Sequence, residues 1–368
     1  MSEQEKQNPI FLVIPALLSL VFALVAGLIR LPWELPFGDN IAQLHGALMV
    51  SGFLGTVIAA ERASALGRVW AWLAVAANGL GALMALAGGA SPIAQQFFLQ
   101  VGAALFVLGG IGLVCIFAAI LRRETTFFNA IMGLGAVAYL FANLLLLAGQ
   151  SIPAAVPFWS VFLVATIAGE RLELNRFLRP RRGSGAVFGL AVILLAASGI
   201  IALFDRSVAD RVMGFSFFVL GAWLIMNDIA RRTVRMSGVT RYTAICLLSG
   251  YVWLIVSGLS LLTSPGELAG SHYDVNLHTL YVGFVLTMIF GHAPIIVPAL
   301  TGKVVDYRGH FFLPLILLHA SLLMRVGANH AQWLTGRRWG GLLNEVALLL
   351  FLGVMVAAVR RGGRESAG

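Results

Sequence analysis

The sequence predicts an all-α protein that crosses a lipid bilayer about twelve times, built as a single transmembrane domain over residues 1–368. Three observations carry this. Hydrophobic residues make up 59% of the 368-residue chain and charged residues only 11%, less than half the ~25% usual in soluble globular domains. Mean hydropathy is +0.90. Apolar runs of about 20 residues, the length that spans a bilayer as a helix, recur from one end of the chain to the other. These runs are continuous rather than alternating, which excludes a transmembrane β-barrel. The composition also excludes a soluble enzyme and a disordered chain. Cys115 and Cys246 lie singly inside apolar runs, so neither a disulfide scaffold nor a cysteine metal motif is present.

The spans are read in order as residues 9–30, 41–61, 68–88, 96–121, 126–148, 153–170, 184–204, 211–229, 240–262, 275–299, 311–328 and 340–360. The first comes after a polar stretch, Met1 to Gln7, and at about 22 residues exceeds a signal-peptide core, so it is expected to stay as a membrane helix. No segment between spans is long enough for a soluble domain. Twelve spans place both termini on one side, and that side holds 19 of the 25 Lys and Arg residues, including Arg122, Arg123, the Arg171 to Arg182 cluster, Arg231, Arg232 and Arg360. Only Arg30, Arg206, Arg211, Arg325, Arg337 and Arg338 fall opposite. The positive-inside rule then predicts cytoplasmic termini in a plasma (inner) membrane. The net charge of +9 and the isoelectric point near 10.4 thus report topology, and no nucleic-acid partner is expected.

Three spans share a pattern when aligned without gaps. Span 2 has Phe53, Ile58 and Glu61, span 6 has Phe162, Ile167 and Glu170, and span 10 has Phe284, Ile289 and His292. Leu190 to Leu203 also lines up with Leu313 to Val326. Phe and Ile are common in any membrane helix, so chance remains open as a source of the pattern. The even spacing favours three pseudo-symmetric four-helix arcs, about 1–124, 125–241 and 242–368.

Ionisable groups inside a bilayer cost ~2.5–3.5 kcal/mol each on insertion scales and tend to mark function. Topology puts Glu61, Glu170, His292 and His319 at similar depth in the cytoplasmic half, where they would suit a metal ion (iron, copper or zinc) or a proton relay. Equally, Glu61-Arg62 and Glu170-Arg171 read as helix ends pairing with their own arginines. Near the opposite face, His45 and His278 match in depth, as two axial ligands of a haem must. The other reading is histidines reaching for interfacial water. Gly46, Gly52 and Gly55 after His45 would let a flat ring approach span 2. On an ideal helix His45 and Glu61 differ by about 160°, so they share a face only if span 2 is distorted. His272, His310 and His330 fall at helix ends or in loops. Asn227 and Asp228 are expected at the interface beside Arg231 and Arg232. Glu345 and Asn344 are weaker candidates for a buried polar role.

Twelve spans with His45-Gly46-Ala47-Leu48-Met49 on span 2 and Leu277-His278-Thr279-Leu280-Tyr281-Val282-Gly283 on span 10 resemble the haem-copper oxidase subunit I superfamily. Within it, the chain looks most like a distant relative of the NnrS-type membrane haem proteins. The resemblance implies haem b with His45 and His278 as axial ligands. It does not imply an oxygen-reducing centre. Oxidases carry a copper-binding histidine on helix 6 and a pair on helix 7, where this chain has Glu170 and no histidine. The second His and the Glu that come just after the first span-2 His in NnrS proteins are also replaced, by Gly46-Ala47-Leu48.

The function expected from these readings is a membrane haem- or metal-binding protein in nitric oxide or respiratory redox metabolism. Its partners would be the lipid bilayer and a redox partner or small molecule. The alternative is a twelve-helix secondary transporter with proton-coupling His and Glu residues, although that fold repeats as two sixes rather than three fours.

Overall fold

The computed structural model describes residues 9–36, 38–91, 93–175 and 183–365. Part of the Arg171 to Arg182 cluster lies outside the described residues, as does Lys6. Among the described residues there is no strand, and twelve helices are long and apolar enough to cross a membrane. They are α1 (Phe11–Arg30), α2 (His45–Leu66), α3 (Val69–Ala90), α4 (Gln95–Arg123), α5 (Phe127–Leu147), α6 (Ile152–Leu174), α7 (Ser184–Ile201), α8 (Arg206–Asn227), α9 (Gly238–Thr263), α10 (Gly270–Thr301), α11 (Gly309–His330) and α12 (Leu334–Gly363). The protein is thus an all-helical, multi-pass membrane protein.

Local chemistry sets the helix ends. Thr126 and Asp205 cap α5 and α8, accepting from the backbone N–H groups of Asn129 (3.4 Å) and Val208 (3.0 Å). Such caps satisfy N–H groups that have no partner within the helix. Gly67 and Gly302 close α2 and α10 in the left-handed conformation, at φ +65° and +67°, where a side chain would be strained.

Consecutive helices pack as neighbours, and α12 returns to touch α1. Three helices form the centre. Between 61 and 78% of α2, α6 and α10 is buried, against 33 to 56% for the other nine. These are the three that share the Phe and Ile pattern, and Phe53, Phe162 and Phe284 are all buried. Two of the three are irregular in the same place. Leu48–Leu54 in α2 and Thr279–Leu286 in α10 are wound as wider π turns, and the ungapped alignment superposes them. Such turns insert an extra residue and re-aim the side chains beyond it. In α6 the aligned region stays α-helical and carries Pro157.

Several helices start earlier than hydropathy predicts. Sequence places the beginnings of α8, α10 and α12 at 211, 275 and 340, whereas they begin at Arg206, Gly270 and Leu334. Each added turn carries charged or polar residues such as Arg206, Asp274 and Arg337, which read as loop in a hydropathy scan. Inside the protein Arg206 and Asp274 are paired with opposite charges, which removes the cost of extending the helix.

The loop between α10 and α11 is tied to the end of α12. Asp306 donates its backbone N–H to Ala358 O (3.2 Å), and its carboxylate accepts from Arg308 (2.7 Å) and Arg361 (3.0 Å). These arginines hold the Asp306 carboxyl below the usual carboxylate range. The pairing therefore adds stability above the ordinary carboxylate pKa of about 4, and that stability fades as pH falls through the lower folded value. Thermal unfolding in detergent between pH 6 and pH 3 should show this acid-side loss in the wild type and a shallower one in Asp306→Asn.

Candidate functional site

His45 opens α2 and His278 lies in α10, and the structure brings their rings close together. Their ring centres are 6.5 Å apart with planes inclined by 27°, too far for van der Waals stacking. Each ring is fixed through one nitrogen. His45 Nδ1 lies 2.7 Å from Ala23 O on α1, and His278 Nδ1 lies 2.8 Å from Asp274 O. A carbonyl oxygen only accepts, so in both rings the proton resides on Nδ1 and the lone pair on Nε2. Neither Nε2 has a hydrogen-bond partner among the described residues. Two imidazoles with Nδ1–H anchored to backbone and Nε2 free have the arrangement of metal-ligating histidines.

Both histidines line a cavity of about 820 Å³, which also takes in Gly46, Trp159, Tyr281, Arg325, Arg337 and Glu345. The volume is that of a pocket for a cofactor-sized ligand. Its walls are mostly apolar, with Arg30, Arg325 and Arg337 as the cationic groups. Asp274 sits behind His278. Its carboxylate accepts from Arg325 Nε (2.9 Å), Arg325 Nη2 (2.7 Å) and Asn329 Nδ2 (2.7 Å), and its Oδ1 lies 3.3 Å from His278 Nδ1. In the sequence Arg325 is one of the charges of the outer side, and nothing marks Asp274 but its i, i+4 spacing to His278. In the structure Arg325 is 7% exposed.

At the far end of the same central helices, Glu61 and Glu170 come together on Arg62, while His292 and His319 are held by other partners. Arg62 bridges Glu61 (3.2 Å) and Glu170 across the α2–α6 boundary. The expected pairing of each glutamate with its own neighbour thus holds for Glu61-Arg62 but not for Glu170-Arg171. Arg171 instead turns to Asp228, which accepts from its Nε (2.8 Å) and Nη2 (3.1 Å) and also from Tyr251 OH (2.8 Å). Asp228, expected at the interface beside Arg231, is 2% exposed. His292 holds its Nδ1–H on Met288 O (2.8 Å), and its Nε2 accepts from Arg171 at 3.3 Å. His319 has both nitrogens engaged, Nδ1 accepting from Trp253 (3.0 Å) and Nε2 donating to Ser249 Oγ (3.1 Å). Among the described residues no group of three or more His, Cys, Asp or Glu side chains is placed to hold a metal ion.

Residues 9–360 match a family model described as a domain of unknown function, DUF8744. The chain belongs to that family. No curated protein and no solved structure matches it.

The glycines of this DUF8744 protein divide by position. A Cβ on Gly52 would fall 2.1 Å from Ser19 Oγ, and one on Gly55 2.4 Å from Tyr139 OH. Both therefore serve helix packing, contrary to the expectation that they admit a flat ring. Gly46 does line the cavity. Gly27 on α1 matters only in the fold: a Cβ there would lie 3.0 Å from His45 Cε1 and 3.1 Å from Glu345 Oε1. Its missing side chain is the space in which the His45 ring stands.

The Arg171–Asp228 pair has the larger energetic consequence at the inner end. Removing one partner of a buried pair leaves an uncompensated charge, at a cost of about 3–5 kcal/mol. Asp228→Asn should lower detergent-solubilised thermal stability by an amount of that order, whereas Arg231→Ala should leave it within about 0.5 kcal/mol of wild type. Equal losses in both variants would contradict the pairing.

Proposed function

We propose that this is a membrane haem protein in which His45 and His278 would hold a haem b in the cavity between α2 and α10. The reading rests on one observation, the close, near-parallel pair of Nδ1-anchored imidazoles with free Nε2 atoms. A metal–imidazole bond of about 2.0–2.1 Å on each side, plus about 1 Å from nitrogen to ring centre, separates two axial rings by a little over 6 Å. The observed 6.5 Å fits that requirement. The cavity volume fits as well, and Arg30 and Arg337 are charges suited to the carboxylates that such a cofactor carries.

When bound, the group supplies a one-electron couple. The chain's own residues do the rest. Ala23 O and Asp274 O hold the two Nδ1–H groups and so fix ring orientation, while the apolar walls keep water from the metal position. With both His45 and His278 holding it, the group would supply electron transfer rather than activation of a small molecule. Within nitric oxide or respiratory redox metabolism, the reading is therefore an electron-transferring member with a redox partner in or at the membrane. With their nitrogens engaged by Arg171, Trp253 and Ser249, His292 and His319 are not part of a second metal site in this reading. The charge asymmetry of the loops supports a plasma membrane location with both termini cytoplasmic.

An optical spectrum of the purified protein, oxidised and dithionite-reduced, tests the proposal. A Soret band with a sharp reduced α-band should be present, should be lost in His45→Ala and in His278→Ala, and should survive in His292→Ala. Gly27→Leu, which pushes a side chain into the His45 ring, should lower the haem content several-fold. A colourless preparation from haem-replete cells, free of iron by elemental analysis, would sink the reading and leave the transporter as the better one.

A further inference from the structure

The two histidines are not equivalent, and this rests on the haem reading above. His45 Nδ1 meets only the Ala23 carbonyl. His278 Nδ1 meets the Asp274 carbonyl at 2.8 Å and has the Asp274 carboxylate, through Oδ1, at 3.3 Å. The carboxylate is held from its other side by Arg325 on α11, through both Nε and Nη2, and by Asn329. Arg337 on α12 stands further off, 3.9 Å from Oδ2. Asp274 and Arg325 are 7% exposed and Asn329 2% exposed, so solvent screens these charges little.

We infer that Asp274 is a positioning residue that sets the reduction potential of the site through His278, and that Arg325 and Asn329 set how much of its negative charge His278 feels. The physical chain is short. A carboxylate next to Nδ1–H draws on that proton and makes Nε2 a better electron donor to a metal, which favours the oxidised form. Each hydrogen bond that Arg325 or Asn329 donates to the carboxylate removes part of that effect. The structure thus holds a balance of opposite charges whose two halves act on the same ligand with opposite sign. His45 has no such partner and supplies the fixed side of the pair.

The opposite signs give the test. Spectroelectrochemical midpoint potentials are measured on full-length holoprotein for the wild type and for Asp274→Asn, Arg325→Gln and Asn329→Leu. Asp274→Asn removes the negative charge and leaves Arg325 unbalanced, so its potential rises. Arg325→Gln leaves the carboxylate unbalanced, so its potential falls. Changes around a metal ligand typically amount to tenfold or more, and tenfold for a one-electron couple is about 59 mV. Asn329→Leu keeps the ion pair and removes a single bond, so it should fall by less and should assemble even where the charge variants do not. Asp274→Glu should return part of the wild-type potential.

Variants that keep a bis-histidine spectrum and the wild-type potential would overturn the inference while leaving the haem reading intact. Shifts of the same sign in Asp274→Asn and Arg325→Gln would also overturn it, because loosened packing alone has no reason to distinguish them. Absence of haem from the wild type fails the earlier reading instead, and that outcome is visible before any variant is made.

Discussion

A charge surrounded by hydrocarbon has to be cancelled inside the protein, and the arrangement of the central helices depends on that requirement. Arg325 on α11 reaches Asp274 on α10, and Arg62 on α2 reaches Glu170 on α6. Arg171 on α6 reaches Asp228, the residue just beyond α8. Arg206 binds Asp210 one turn along α8 and also donates to Pro153 O at the start of α6 (2.8 Å). Each contact fixes an inner helix against a neighbour at one end of the bundle. Apolar packing between membrane helices has no water to expel and is weakly directional, so these few polar ties carry much of the specificity.

The same constraint explains what could be read from sequence. Hydropathy and the sorting of Arg and Lys are one-dimensional signals, and they gave twelve spans close to those observed. The depth match of His45 and His278 comes from counting residues from the ends of their spans, and the structure places the two rings together. Pairing is a three-dimensional property. Asp274 and Arg325 are 51 residues apart, and Arg171 and Asp228 are 57 apart; in a scan each looks like a charge that should lie outside the membrane. Gly52 and Gly55 misled for a related reason. A small residue says that something approaches closely, and only the fold says whether it is Ser19, Tyr139 or a ligand.

Two depth-matched pairs of histidines, His45 with His278 and His292 with His319, are separated by their partners. His45, His278 and His292 all give Nδ1–H to a backbone carbonyl, but Arg171 occupies Nε2 of His292 alone. In His319 the tautomer is reversed, because the Trp253 indole can only donate. Which nitrogen is left free is therefore decided by neighbours, most of them on other helices. Those neighbours, Ala23, Asp274, Arg171 and Trp253, lie on α1, α10, α6 and α9, and no spacing rule within one span reaches the first, third or fourth.

The π turns at Leu48–Leu54 and Thr279–Leu286 bear on how this chain tolerates changes in length. In a regular membrane helix, one added or lost residue rotates everything beyond it by about 100° and breaks packing along the whole span. A helix that already holds a wide turn can take up such a change there by tightening or widening, with the helix beyond it keeping its face. The two inner helices that carry His45 and His278 thus each contain a built-in slack point beside the ring they present. Single-residue length differences among members of the family should collect at these two turns, and α6, which has none, should keep a constant length.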